Sequence, residues 1–195
     1  WFFQDPLLVK ACEVAVAGSL CVRPGERVLI VTNPETEVSA ISFCLYDACV
    51  RAGANPTILF QPVKDSFNFA DPAVIAAIAT EPDVVISMSA ERMGKDRDAQ
   101  VKPILHDGVA WDHVFHHLLH GKKSIRSFWS PRATREMFMK TVPIDYGRLE
   151  KECRAVGDLL TAAEAVHISS PAGCDLRFGL RGRKAFIDDG DFSAP

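Results

Sequence analysis

Nothing in this chain is long and apolar enough to cross a bilayer. The richest apolar stretch near its start, "LLVKACEVAVAGSLCV", is short and carries Lys10 and Glu13. The same stretch lacks the charged, then apolar, then small-residue order of a secretory signal, so a cytoplasmic protein is expected. A basic stripe is also missing. Lys and Arg total 22 against 25 Asp and Glu, with both signs interspersed for a net charge of −3. That balance excludes nucleic-acid and membrane-surface partners as an expectation. Six cysteines (Cys12, Cys21, Cys44, Cys49, Cys153, Cys174) occur without one C-x-x-C. They read as small buried hydrophobes in a reducing compartment, not as a zinc or disulfide framework. Low-complexity tracts and fixed-period repeats are absent as well.

What is present is an ordinary globular composition, 48% apolar and 24% charged over 195 residues. A chain of this length buries roughly 70% of the surface its unfolded form exposes and needs no cross-link to make a core. Apolar positions Leu8, Cys12, Ala15, Val16 and Leu20 step at helical spacing. Val28 to Val31 form an unbroken apolar run suited to a strand buried on both faces. A helix follows, with Asn33 as its cap, Pro34 at its first position, Glu35 and Glu37 complementing its dipole, and Gly53 as its stop. The pattern then repeats as "NPTILF", "DPAVIAAIAT" and "PDVVISMS". Strand and helix alternating over short links predict right-handed crossovers and a mainly parallel sheet. Residues 90–111 read as a polar surface loop, "DHVFHHLLHG" as helical, "KSIRSFW" as a fourth strand and "PRATREMFMKTV" as a helix from Pro131. Tyr146, Leu149, Cys153, Val156, Leu160 and Ala163 mark a long amphipathic helix. Beyond it, short strands with "GLRGR" as their turn predict an antiparallel unit. The fold class is therefore α/β: a mainly parallel, Rossmann-like sheet flanked by helices, without a dinucleotide fingerprint, followed by the first strands of an α+β domain. The expected domains are residues 1–164 and 165–195.

Catalytic signatures are sparse. After the first strand, "TNPETE" places a proline and two carboxylates where a dinucleotide site needs glycines and bare amides. "HGKKS" offers a Gly-Lys pair, but His116 upstream of it stands where a P-loop needs its first glycine, and Lys123 where it needs Ser or Thr. There is no G-x-S-x-G. His113 with His117, and His116 with His120, lie four apart; on a helix each pair would share a face and could chelate zinc. No glutamate between them completes H-E-x-x-H, so a solvated or structural histidine cluster is the plainer reading. The charged "ERMGKDRD" reads as a solvated loop that could line a cleft, and "DDGD" as a turn.

One stretch is more specific. "PAGCDLRFGLRGRKAFIDDGDF", preceded by "KSIRSFWSP" and "TVPIDYGRLEKECRAVGDLL", resembles the aminopeptidase T type of leucyl aminopeptidase, a metallopeptidase family first known from thermophiles. Its pattern is P-x-G-[TC]-D-L-x-F followed by G-R and an acidic turn, with Cys174 where Thr is commoner. "RPGERVLIVTNPETE" and "AGANPTILF" match the family's N-terminal α/β part. The resemblance implies a hydrolase whose C-terminal domain holds two divalent metals (Zn, Co or Mn) through Glu, His, Asp and Tyr, acts on peptide substrates and forms a homodimer. None of the family's ligand motifs falls on this sequence, so the chain is expected to be the front part of such an enzyme, inactive alone, with its metals bound elsewhere. Arg126, Arg181 and Arg183, with residues 32–35 and 89–92, are the cleft candidates; His113 and His117 are the alternative metal pair. Ring-opening dioxygenases of dihydroxypyridines share the scaffold and form a second expectation; a non-enzymatic binding or assembly module is the third.

Overall fold

The computed structural model describes residues 5 to 194. Contacts divide the chain into one unit that ends at Pro143 and resumes at Phe192, and a second, Ile144–Asp191. This division falls before the long amphipathic helix, which shares its unit with the strands that follow it.

The first unit opens with α1 (Pro6–Val14). The Asp5 carboxylate accepts from the Leu7 amide at 2.9 Å, and Pro6 takes the first turn, where its missing N–H costs nothing. The helix widens into a π turn over residues 15–19. Then come β1 (Arg27–Thr32), α2 (Thr36–Arg51), β2 (Asn55–Phe60), α3 (Pro72–Ala79) and β3 (Val84–Met88). The chain continues through α4 (Arg97–Val101), a small hairpin β4 (Ile104–His106) and β5 (Val109–Trp111), α5 (Val114–His116), β6 (Arg126–Trp129) and α6 (Arg135–Thr141). The main sheet has the order β2-β1-β3-β6 and all its neighbours are parallel; Ile30 sits opposite both Ile58 and Ile86. This is the helix-flanked parallel sheet that the alternation of patterns predicted.

Side chains alternate across the sheet and feed two cores. On one face Val28, Ile30, Ile86 and Met88 pack with Leu8, Leu20, Ile41 and Leu45. On the other, Leu29, Val31 and Val85 pack with Ile78, Leu118 and Ile125. Every residue of β3 is buried, so cutting one of its large apolar side chains to Ala leaves a cavity costing about 2–5 kcal/mol.

Several local expectations are corrected. Asn33 is not the cap of α2. Glu35 holds that place with extended backbone, and Asn33 is fully buried in other bonds. Residues 90–111 are not a plain loop but carry α4 and the β4–β5 hairpin, capped and pinned by Asp96. The helix expected from Pro131 begins at Arg135, because Arg132 takes a positive φ of 57° that no helix accommodates. Thr134 caps it instead, accepting from the Met137 amide at 3.1 Å.

The second unit contains α7 (Tyr146–Ala162) and an antiparallel hairpin, β7 (Ala165–Ser169) with β8 (Asp175–Gly179). Asp145 caps α7 by accepting from the Arg148 amide at 3.0 Å, and Arg148–Glu152 and Arg154–Glu150 pair one turn apart. Gly157 is buried because Ile187 lies against it; an added Cβ would meet Ile187 at 3.0 Å. The hairpin turn is at residues 170–174, not "GLRGR", which follows β8. There Gly173 adopts φ +95° and the Ser170 amide donates to the Cys174 carbonyl.

Candidate functional site

Open parallel sheets take ligands beyond the C-terminal ends of their strands, where the strand order reverses. Here that point lies between β1 and β3. Polar side chains fill it. Asn33 donates from Nδ2 to the carbonyls of Gln61 (2.8 Å) and Pro62 (3.2 Å), and its Oδ1 accepts from the Ala90 amide at 2.7 Å. Thr32 donates to the Met88 carbonyl at 2.9 Å. Buried Gln61 extends the network, donating to the Met93 carbonyl and accepting from the Asp71 amide at the start of α3. Three loops are thereby stitched together, and every buried amide atom in the stitch is satisfied.

A cleft of about 270 Å³ opens to one side of this point. The loops after β2 and β3 build its rim. Arg92 donates its amide to Lys64, Lys95 donates to Asn68, and Ala70 donates to Lys95, each at 2.9 Å. Gly94 makes the crossing possible. Its φ is +99°, and a Cβ there would lie 2.5 Å from the Ala70 nitrogen. Met93, Phe115 and Trp129 supply the apolar wall; Arg92, Lys95, Asp65 and Asp112 supply charge. The Arg92 guanidinium stands 5.1 Å from the centre of the Trp129 ring, and Lys95 Nζ 5.7 Å from that of Phe67, so both cations rest on aromatic faces.

His113 and His116 line this cleft, and of the expected i, i+4 pairs His116 and His120 do approach, with 6.3 Å between ring centres. His113 precedes α5 and caps it: Nδ1 accepts from the Phe115 amide at 3.1 Å, while Nε2 lies 3.1 Å from the Gly94 carbonyl. An acceptor at Nδ1 fixes the neutral tautomer with the proton on Nε2, which then donates to Gly94. Burial, aided by neighbouring His116, lowers its pKa below the ordinary value. Burial likewise lowers His116 and His117, the latter with help from His106. His117 to Gly121 form a π turn, and the structure also brings His113 to His116 (5.3 Å between ring centres) and His106 to His117 (5.2 Å). Both nitrogens of His113 are engaged, which leaves no lone pair for a metal shared with His117. Among the described residues no group of three or more His, Cys, Asp or Glu is arranged to hold a metal. These residues do not fit the divalent ions that the family resemblance implies.

Of the arginines, Arg126 is 8% exposed and internally engaged. It forks onto Glu26 with contacts of 3.0 and 2.6 Å and donates from Nε to the Leu20 carbonyl at 3.1 Å. Arg181 pairs with Glu164 at 3.0 Å on an exposed surface, and Arg183 is exposed, its amide donating to the Leu180 carbonyl. Arg126 does not line the cleft, and Arg181 and Arg183 belong to the second unit. Arg92, on the charged loop, does line it. Phe115 and Trp129 were not singled out by sequence; the cleft candidates at residues 89–92 and the dense charge of "ERMGKDRD" pointed to the place.

No family model matches the chain, and no curated protein matches it. Among solved structures it is similar to 2,5-dihydroxypyridine dioxygenase from Pseudomonas putida KT2440, with a TM-score of 0.55, 16% identity, and coverage of 88% of this chain and 46% of that one. It is also similar to wild-type AmpT, an aminopeptidase T, from Thermus thermophilus, with a TM-score of 0.51, 17% identity, and coverage of 89% and 53%. The chain spans about half the length of each. At these identities the likeness is one of fold. Among the described residues no helix is long and apolar enough to cross a membrane.

Proposed function

We propose that this chain is the N-terminal α/β part of a cytoplasmic, homodimeric, metal-dependent aminopeptidase that releases N-terminal residues from peptides, and that α7 with the β7–β8 hairpin leads into its catalytic domain. The observation carrying this reading is the coincidence of two independent signals. The fold follows AmpT along 89% of this chain while spanning 53% of AmpT, and the hairpin turn and β8 carry "PAGCDLRF", the motif by which the sequence resembles that family. The divalent metals would be held by side chains outside the described residues, so no catalytic step is assigned to any residue here.

The dioxygenase likeness supports a second reading, a scaffold for ring opening, with the slightly higher TM-score of 0.55. One experiment separates them. The protein encoded by the whole gene is purified without metal, reloaded with Zn(II), Co(II), Mn(II) or Fe(II), and offered leucine p-nitroanilide or a dihydroxypyridine. Amide turnover with Zn, Co or Mn supports the peptidase. Oxygen-consuming loss of the ring with Fe(II) overturns it, and so does inactivity with every metal.

A further inference from the structure

The cleft between the loops after β2 and β3 has a charge pattern that neither functional reading uses. Arg92 and Lys95 line it on aromatic supports, and Asp65 and Asp112 line it too. None of the four has an ion-pair partner among the described residues. The Asp65 carboxylate accepts from the Phe67 and Asn68 amides, and that of Asp112 from Gln100 at 3.0 Å. Burial lowers the pKa of His116 beside Asp112, against the pull of that carboxylate. An anion entering here would meet two carboxylates, and a cation would meet two cations. Only a ligand with both signs satisfies both sets. The volume, about 270 Å³, lies below the roughly 300–1,000 Å³ of drug-sized sites, so the ligand is small. Phe115, Met93 and Trp129 give it an apolar surface to lie on.

We propose that this cleft binds a free α-amino acid with an apolar side chain, its carboxylate facing Arg92 and Lys95, its ammonium facing Asp112 and Asp65, and its side chain against Phe115 and Trp129. Such binding needs neither metal nor turnover, so its failure would leave the peptidase reading untouched.

The test is an amide NMR titration of the 195-residue chain with L-leucine, N-acetyl-L-leucine (no cation) and L-leucinamide (no anion). Leucine, with about nine non-hydrogen atoms, is expected to bind with a Kd of about 1 mM. Shifts should centre on residues 92–95 and 112–116. Each analogue, and each of the variants Arg92→Gln and Asp112→Asn, should bind about tenfold more weakly. The two analogues decide the matter even if a variant fails to fold. Absence of leucine binding, equal binding of either analogue, or leucine binding unchanged in both folded variants would overturn the proposal.

Discussion

Replacing Arg126 by Met tests whether this residue serves the interior or a ligand. The guanidinium joins β6 to the segment between α1 and β1 through Glu26 and the Leu20 carbonyl, with side-chain exposures of 10% and 15% for Arg126 and Glu26. Removing it strands a mostly buried carboxylate and frees the Leu20 carbonyl. Breaking one side of a buried pair costs about 3–5 kcal/mol; the residual exposure argues for the lower end, about 3 kcal/mol. For a chain of this size that lowers Tm by about 6–12 °C. There is also a pH signature. Burial alone would raise the pKa of Glu26, but hydrogen bonds from Arg126 and the Arg23 amide outweigh it and hold the carboxyl below its ordinary range. A lowered carboxylate pKa gives stability that is fully present above the unfolded-state pKa and drains as pH falls through the folded-state value. The wild type should therefore lose stability below about pH 4 more steeply than Arg126→Met. Thermal melts of both proteins, repeated from neutral to acidic pH, measure both effects. An unchanged Tm with parallel acid profiles would refute the structural role of the pair and return Arg126 to the list of ligand-facing residues.

Asp96→Ala removes a buried carboxylate that accepts from the Asp98, Ala99 and Val114 amides at 3.0–3.1 Å, and should cost about 2–3 kcal/mol in urea unfolding, with Asp96→Asn retaining part of it. Gly94→Ala should destabilise by more than about 2 kcal/mol, because the positive φ and the clash with Ala70 act together, and it should also blur the amide signals of residues 92–95. His113 is held neutral by burial, so its lowered pKa makes stability fall as pH drops below about 6.5, where the unfolded chain gains a proton first. His113→Gln should flatten that slope in melts between pH 7 and 5. Calorimetric titration with zinc should reveal no tight site that depends on His113 and His117, because forming one would first break both hydrogen bonds of His113; micromolar binding lost in His113→Ala would contradict this.

The elements most readable from sequence are those whose cause is local. The apolar run Val28–Val31 announced a strand covered on both faces, and "DPAVIAAIAT" announced the helix α3, at whose start the Asp71 carboxylate accepts from the Ala73 amide at 2.9 Å. Positions whose role is set by distant backbone were misread. Asn33 has good cap chemistry, but partners at residues 61, 62 and 90 outcompete the helix start for its amide. The histidine spacing suggested paired faces, and His116 does meet His120, yet His113 is spent on the Phe115 amide and on a carbonyl nineteen residues away. The cleft was legible in part, through the candidates at residues 89–92 and the dense charge run; Phe115 and Trp129, from two other segments, complete it through tertiary packing that no local pattern reveals.

The stitch around Asn33 has a practical corollary for anyone wishing to redesign this scaffold. Grafting a glycine-rich phosphate loop onto residues 33–35 would delete one carboxamide that currently answers to two separate backbone segments. Such a graft would loosen the rims of its own future pocket in the act of creating it. Engineers would do better to leave this corner alone and reshape the outer ends of the neighbouring loops.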